Sequence, residues 1–215
     1  MMRRARWPQA AFTLVELMIA IAVVAVVLVL AAPSFRELIE MQRLRSVNAQ
    51  LVTDLQFARA EAASRQVPVV LKPGAAAGAN SCYTVYACSD AAFGTADCNC
   101  NCANGAGNAC VANAKVQEIR TVVVASSTGV QISRPPNDLG AAEEVRFDPR
   151  TGGAQIKYRP TDGGPIPPNW VGAVDTRLIR DTNVTLRTLI APSGRPSVCA
   201  PLTAVSGFQS ACAAN

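Results

Sequence analysis

The chain has 215 residues, of which 50% are hydrophobic and only 5% aromatic, and it contains no histidine. That length allows one globular domain with a core built from Val, Ile, Leu and Ala, together with a membrane or assembly helix. Without histidine the chain lacks the usual general base, the Ser-His-Asp and Cys-His constellations and the commonest metal ligand. The composition therefore disfavours an enzyme, and we expect no catalytic residue, no cofactor and no metal site.

The formal net charge of +5 is unevenly distributed along the chain. Arg3, Arg4 and Arg6 carry three of the positive charges, and no acidic residue occurs before Glu16. Removal of residues 1–11 leaves 17 basic against 15 acidic side chains, a net charge of +2. The basic character is therefore largely a targeting signal and is weak support for a nucleic-acid partner.

An apolar run of 21 residues, from Phe12 to Ala32, follows the arginines and is interrupted only by Thr13 and Glu16. As a helix with a rise of about 1.5 Å per residue it would be roughly 31 Å long, which matches a hydrocarbon core of roughly 30 Å. The run is therefore predicted to be a transmembrane helix of the inner membrane. Because arginines keep the start of such a helix in the cytoplasm, the rest of the chain is predicted to be periplasmic.

A cleaved secretory signal and a plain signal anchor are two alternatives for this segment. Cleavage after Ala32 would leave Pro33 directly behind the cut, which is unfavourable for a general signal peptidase. Both alternatives also leave Glu16 unexplained, although a carboxylate within a membrane helix costs at least about 2.5–3.5 kcal/mol and is usually functional. A role for Glu16 in assembly is therefore the favoured interpretation.

The junction Ala11-Phe12-Thr13-Leu14-Val15-Glu16-Leu17, behind its Arg-rich leader, resembles the class III signal of type IV pilins and type II secretion pseudopilins. The resemblance implies a leader of residues 1–11, cleavage between Ala11 and Phe12 by a prepilin peptidase, and methylation of the new amine on Phe12. The family usually has Gly where this chain has Ala11, but processing is still expected, because a small residue fits a tight peptidase site. Residues 12–32 would then form a filament-core helix in which Glu16 pairs with the Phe12 amine of a neighbouring subunit.

The helix is predicted to continue through residues 33–66 as an amphipathic segment, with a kink or loosened turn at Pro33. Apolar residues recur there at spacings of three or four and form one stripe, which is typical of a helix packed on a sheet. The stripe consists of Val47, Leu51, Leu55, Ala58 and Ala62, and the charged residues Asp54, Arg59, Glu61 and Arg65 are expected to lie mostly off it. Val67-Pro68 is expected to end the helix.

After the helix the pattern changes to short runs rich in Val, Ile and Thr between Gly, Pro, Asn and Asp turns, which is typical of strands. The predicted strands are Val67–Leu71, Tyr83–Ala87, Val116–Val124, Gly129–Ser133, Val145–Asp148, Ala154–Tyr158 and Val184–Ile190. The fold class is therefore predicted to be α+β and pilin-like, with a long N-terminal helix packed on an antiparallel β-sheet head of residues 67–215.

Further segments narrow the resemblance to the GspH/FimT/FimU family of minor pilins and pseudopilins. The segments are Pro33-Ser34-Phe35-Arg36, Arg45-Ser46, Leu55-Gln56-Phe57-Ala58-Arg59-Ala60-Glu61-Ala62, Phe147-Asp148-Pro149-Arg150-Thr151-Gly152 and Ser193-Gly194-Arg195. The resemblance implies a structural subunit that primes or caps a type IV pilus, with a contribution to DNA uptake as a further expectation, or alternatively a minor pseudopilin of type II secretion. The implied partners are other minor and major pilins or pseudopilins, the prepilin peptidase and the inner-membrane assembly platform.

Residues 74–114 are interpreted as a Cys-rich insertion that depends on disulfides, because they are rich in Gly, Ala and Asn and cannot build a core. Its cysteines are Cys82, Cys88, Cys98, Cys100, Cys102 and Cys110. The C-x-C spacing of residues 98–102 differs from the C-x2-C of zinc sites, which favours disulfides over metal in an oxidising compartment. The three closely spaced cysteines are expected to pair outward, and Cys199 is expected to pair with Cys212.

DNA binding is a second hypothesis, because some FimT-like proteins bind DNA through a C-terminal Gly-Arg-x-Arg element. The matching positions here read Gly194-Arg195-Pro196-Ser197, without the second arginine. The predicted phosphate-contacting patch consists of Arg177, Arg180, Arg187 and Arg195. The alternative is a set of solvated strand faces that Asp175 and Asp181 partly neutralise.

Overall fold

The computed structural model describes residues 13–75, 78–89, 98–110, 114–135, 142–158, 172–210 and 212, with the backbone alone for residues 30–34 and Tyr158. Helix α1 extends from Leu14 to Arg65. The chain divides within this helix into two compact units, the first ending at Ile39 and the second beginning at Glu40.

Among the described residues, no helix is long and apolar enough to cross a membrane. The predicted span of residues 12–32 includes Phe12, which lies outside the described residues. That span stays a prediction.

The unit that begins at Glu40 contains all the strands found in the described residues. These are β1 (Val69–Ala75), β2 (Ser81–Cys88), β3 (Val116–Val124), β4 (Val130–Ser133), β5 (Ala142–Phe147), β6 (Ala154–Tyr158), β7 (Gly172–Leu178), β8 (Thr185–Ile190) and β9 (Pro196–Cys199). They form two antiparallel sheets, a first sheet in the order β3-β2-β1-β5-β6 and a second sheet in the order β4-β7-β8-β9. The predicted α+β, pilin-like fold is confirmed.

Two strands, β7 and β9, are missing from the sequence prediction. Strand β7 contains Asp175 and Arg177, which break the apolar pattern, although Asp175 is buried with its partner Arg187 directly opposite on β8. Strand β9 has four residues, begins with Pro196 and lies at the edge of the second sheet, where proline is tolerated. In β7 a charge pair with the next strand therefore takes the place of the apolar pattern, and β9 is too short to show one.

The core lies between the second half of α1 and both sheets. The predicted stripe is confirmed, since Leu51, Leu55, Ala58 and Ala62 are fully buried and Val47 packs against them. They meet apolar side chains of both sheets, among them Leu71, Val85, Phe147, Val174 and Ile190. One helix face thus closes two sheets at once.

Two buried polar side chains fix the position of α1 on these sheets. Asn48 donates from Nδ2 to Oγ1 of Thr188 at 2.9 Å and to Oγ1 of Thr176 at 3.3 Å, both in the second sheet. Asp54 accepts hydrogen bonds from the Tyr83 hydroxyl at 2.5 Å and from Nη1 of Arg120 at 2.9 Å, both in the first sheet. Because these bonds are directional, they set both the rotation and the axial position of the helix.

The placement of Asp54 off the apolar stripe is wrong, because only 1% of this residue is exposed. Its ion pair with Arg120 and its hydrogen bond with Tyr83 satisfy the buried carboxylate. Burial and the hydrogen bond to Asp54 raise the pKa of Tyr83 well above its usual value. The phenol therefore stays a neutral donor at any physiological pH.

All eight cysteines form disulfides: Cys82–Cys102, Cys88–Cys98, Cys100–Cys110 and Cys199–Cys212. The three cysteines of the C-x-C-x-C run each pair outside the run, so none has a free thiolate for a metal. The first part of the predicted Cys-rich insertion of residues 74–114 contains residues 81–88, which form the interior strand β2 of the first sheet. The interpretation of residues 74–114 as an insertion stays a prediction. Three disulfides tie the Cys-rich segment 98–110 to strand β2 and to itself.

A carboxylate on β3 holds the same segment from its other side. Glu118 accepts from the backbone N–H groups of Gly107 and Ala109 at 2.8 and 3.0 Å and from the Thr121 hydroxyl at 2.6 Å. Desolvation by burial alone would raise the pKa of Glu118, but these hydrogen bonds outweigh it and lower the pKa. The segment is therefore fastened to the ionised carboxylate.

Replacement of Asp54 by Ala should lower the free energy of unfolding by about 2–4 kcal/mol, because it leaves the buried Tyr83 hydroxyl without its acceptor and Arg120 without its partner. The measurement is urea unfolding of a fragment that begins at Glu40. Thr53→Ala, on an exposed position of the same helix turn, is the control and should change stability by less than about 0.5 kcal/mol. Equal effects of both substitutions would contradict the role given to Asp54.

Candidate functional site

The first turn of α1 presents Glu16, whereas Ala11 and Phe12 lie outside the described residues. Oγ1 of Thr13 accepts from the backbone N–H of Glu16 at 3.2 Å, which is an N-cap at the start of the helix. Glu16 is exposed and makes no ion pair among the described residues. A carboxylate in the first turn is favoured by the helix dipole and remains available to a cation from another chain.

The helix behind Glu16 exposes apolar side chains on all of its sides. Twelve large apolar residues between Leu14 and Val29 are 56–73% exposed, namely Leu14, Val15, Leu17, Met18, Ile19, Ile21, Val23, Val24, Val26, Val27, Leu28 and Val29. Each such side chain gains roughly 1.5–3 kcal/mol when it moves from water into apolar surroundings. This part of the helix is therefore built to be surrounded by other apolar groups.

The four arginines of the predicted DNA patch do not act together. Arg187 is buried and donates from Nε and Nη2 to the Asp175 carboxylate at 2.7 and 2.9 Å. The pair lies on the face of the second sheet opposite the helix, beside Ala173 and the Cys199–Cys212 disulfide. Arg187 is thus a structural side chain that cannot reach a phosphate while its ion pair is intact.

Two further members of the patch lie in strand β7 or directly after it in the sequence. Arg177 is half-buried on that strand, opposite Gln131 of β4. Arg180 follows the strand, is largely exposed and forms a 3.7 Å ion pair with Glu40. Neither residue lines the surface around Arg195. The structure therefore does not bring the four arginines into one cluster, and DNA binding through this patch stays a prediction.

Arg195 instead shares a groove with Arg59 of α1 and with Arg150 of the β5–β6 turn. The groove has a volume of roughly 670 Å³ and is also lined by Gln56, Ala63 and Pro196. Sequence reading missed Arg59 and Arg150 as site residues. Both residues lie in segments that carry the family resemblance. Those segments, residues 55–62, 147–152 and 193–195, meet at this groove.

Two glycines with positive φ shape the groove around Arg59. Gly152 and Gly194 have φ values of 65° and 78°, which L side chains rarely adopt. A Cβ atom on Gly152 would lie 3.1 Å from Nε and 3.2 Å from Nη2 of Arg59, and one on Gly194 would lie 2.4 Å from the Gly152 carbonyl oxygen. The missing side chains therefore leave the space in which the Arg59 guanidinium lies.

The nearest turn carboxylate is engaged by its own turn. Asp148 accepts from the backbone N–H of Thr151 at 2.8 Å, from that of Arg150 at 2.9 Å and from the Thr151 hydroxyl at 3.0 Å. These hydrogen bonds lower the pKa of Asp148 below its usual range, and the bond from the Thr151 N–H has the largest effect. The Asp148 side chain therefore holds the turn that carries Arg150, and it is not among the residues that line the groove.

Comparison with protein families gives two matches on successive parts of the chain. Residues 8–32 match the family model described as a prokaryotic N-terminal methylation motif. Residues 48–169 match the model described as type II transport protein GspH. Neither a curated protein nor a solved structure matches the chain.

A methylation motif at the start of an apolar helix, followed by a helix-and-sheet head, defines a subunit of the pilin and pseudopilin class. The second match covers more than half of the chain, from the buried part of α1 to beyond β6. The chain belongs to the GspH family of FimT-like minor pilins and pseudopilins, which are structural subunits.

Arg187→Ala should lower the free energy of unfolding by about 3–5 kcal/mol, because Asp175 would keep a buried charge without a partner. Arg195→Ala should change it by less than about 0.5 kcal/mol, since the side chain is exposed. Urea unfolding of the fragment that begins at Glu40 compares the two. Similar stabilities of both variants would contradict the role given to the buried ion pair. If Arg187→Ala also lost DNA binding, that loss would reflect unfolding and not a lost phosphate contact.

Proposed function

We propose that this protein is a minor structural subunit that primes or caps a type IV pilus. It is made as an inner-membrane precursor with a cytoplasmic N-terminus and a periplasmic head, and after processing it moves into the filament or its tip. Its partners are other minor and major pilins, the prepilin peptidase and the inner-membrane assembly platform. Membership of the GspH family supports the structural role.

The observation that carries the proposal is the apolar helix surface between Leu14 and Val29, exposed on all sides. A filament core made of such helices removes that surface from water, and a membrane does the same before assembly. The arginines at positions 3, 4 and 6 and the methylation-motif match over residues 8–32 support a membrane precursor that is cut at its start.

Glu16 is the proposed assembly contact within this surface. Cleavage between Ala11 and Phe12 would create an amine four residues before Glu16. In the apolar core the Glu16 carboxylate of one subunit would pair with the Phe12 amine of its neighbour. An unpaired buried carboxylate is costly, so the pair would favour the correct axial register over others.

A pseudopilus of type II secretion is the second candidate machine. It is favoured by the description of the matched family model, type II transport protein GspH. The two machines differ in the filament with which the subunit would be recovered. Purification of pili and of pseudopili from the same cells therefore discriminates between them.

Glu16→Ala should reduce the amount of this chain in sheared filaments at least about tenfold, because the mutant core loses the charge pair. Its level in the inner membrane and its processing should stay unchanged. Glu37→Ala, which removes another exposed carboxylate of the same helix, is the control and should be incorporated like the wild type. Wild-type incorporation of Glu16→Ala would contradict the assembly role, and absence of the wild-type chain from every filament fraction would contradict the proposed function.

A further inference from the structure

We propose that the groove formed by Arg59, Arg150 and Arg195 is a docking site for an acidic segment of a neighbouring filament subunit. This inference rests on the proposed function, because an assembled filament supplies such a neighbour. It assigns a binding role to the part of the head where helix α1, the β5–β6 turn and the β8–β9 turn meet.

The first argument is the excess of positive charge in the groove. Three guanidinium groups line one groove, no carboxylate lines it among the described residues, and none of the three groups has a hydrogen bond or ion pair there. The carboxylates closest in sequence lie outside the groove: Asp148 accepts from the N–H groups of its turn and is a weak electrostatic neighbour of Arg150, and Glu61 pairs with Arg65. Like charges that share a low-polarity surface repel one another, so an anionic ligand would stabilise the groove.

The second argument is the fixed position of Arg59. Its guanidinium lies in the space left by Gly152 and Gly194, and its helix is held by the buried bonds of Asp54. An arginine that is oriented before binding loses less conformational freedom when it binds a carboxylate. Arg150 and Arg195 are exposed at the rim and can adapt to the ligand.

The third argument concerns the kind of anion. A guanidinium binds a carboxylate through two parallel hydrogen bonds, and the groove volume of roughly 670 Å³ suits a few residues of a peptide. Apart from the polar Gln56 and Thr151, the other walls are small or apolar and allow close approach of a backbone, with Ala60, Ala63, Pro149 and Pro196. No aromatic side chain lines the groove in the described residues, so bases of a single-stranded nucleic acid would find no stacking surface. The lack of a stacking surface disfavours single-stranded nucleic acid, whereas a guanidinium pairs with carboxylates and phosphates alike. A protein carboxylate is the expected anion because the assembled filament surrounds the head with other subunits.

The test uses the mature full-length chain in detergent micelles and a short fluorescein-labelled peptide of alternating Glu and Ala. Fluorescence anisotropy measures its Kd, and an oligothymidylate of equal net charge is the second probe. Arg150→Glu and Arg195→Glu should each weaken peptide binding at least about tenfold, since each turns an attraction into a repulsion. The matched control is Arg180→Glu, which makes the same charge change on an exposed residue outside the groove and should leave the Kd within about twofold.

Three results would overturn the inference: no saturable peptide binding at low salt, equal weakening in Arg180→Glu, or tighter binding of the oligothymidylate through the same arginines. The last result would make the groove a nucleic-acid site. Urea unfolding verifies that each variant folds. The binding assay needs no filament, so its failure is distinguishable from failure of the proposed function, which appears as absence of the wild-type chain from filaments. If the groove binds the peptide but Arg195→Glu is incorporated into filaments like the wild type, the acidic ligand does not come from a neighbouring filament subunit.

Discussion

The buried carboxylate of Asp54 is the constraint on which the geometry of the head depends. It joins helix α1 to strands β2 and β3, while Asn48, less than two turns earlier, joins the same helix to the second sheet. A purely apolar stripe would allow the helix to slide or rotate on the sheets. Because two directional contacts forbid this, Arg59 is carried to one place, above Gly152 and Gly194. The basic groove is a consequence of that register.

One helix serves two different environments. From Glu40 onward a single stripe of apolar residues, from Leu44 to Ala62, is buried in the core of the head, while Phe57 lies off it and is exposed. Between Leu14 and Val29 its apolar residues cover every side and are exposed. The first pattern needs only the chain's own sheets, whereas the second needs other molecules. A structural subunit of a filament requires this combination, since its head is a folded unit of its own and its first helix half packs against neighbours.

The sequence was sufficient for the elements whose signal is local. The stripe from Val47 to Ala62 and strands β3 and β6 have simple periodicities, and the structure contains them as predicted. Strand β7 was missed because its buried positions include Asp175, whose partner is twelve residues away on the next strand. Arg187 was wrongly predicted to contact phosphate for the same reason. Nothing in its own segment indicates that it is buried and paired with Asp175. The groove was missed because its arginines are distant in sequence and meet only through the sheet topology.

The central claim is that the chain is a precursor whose apolar helix is released by one cut, between Ala11 and Phe12. Intact mass after co-expression with a prepilin peptidase tests it most directly, with expression without the peptidase as reference. The account predicts loss of residues 1–11 and gain of one methyl group. A cut after Ala32, or an uncut chain in the presence of an active peptidase, would contradict it.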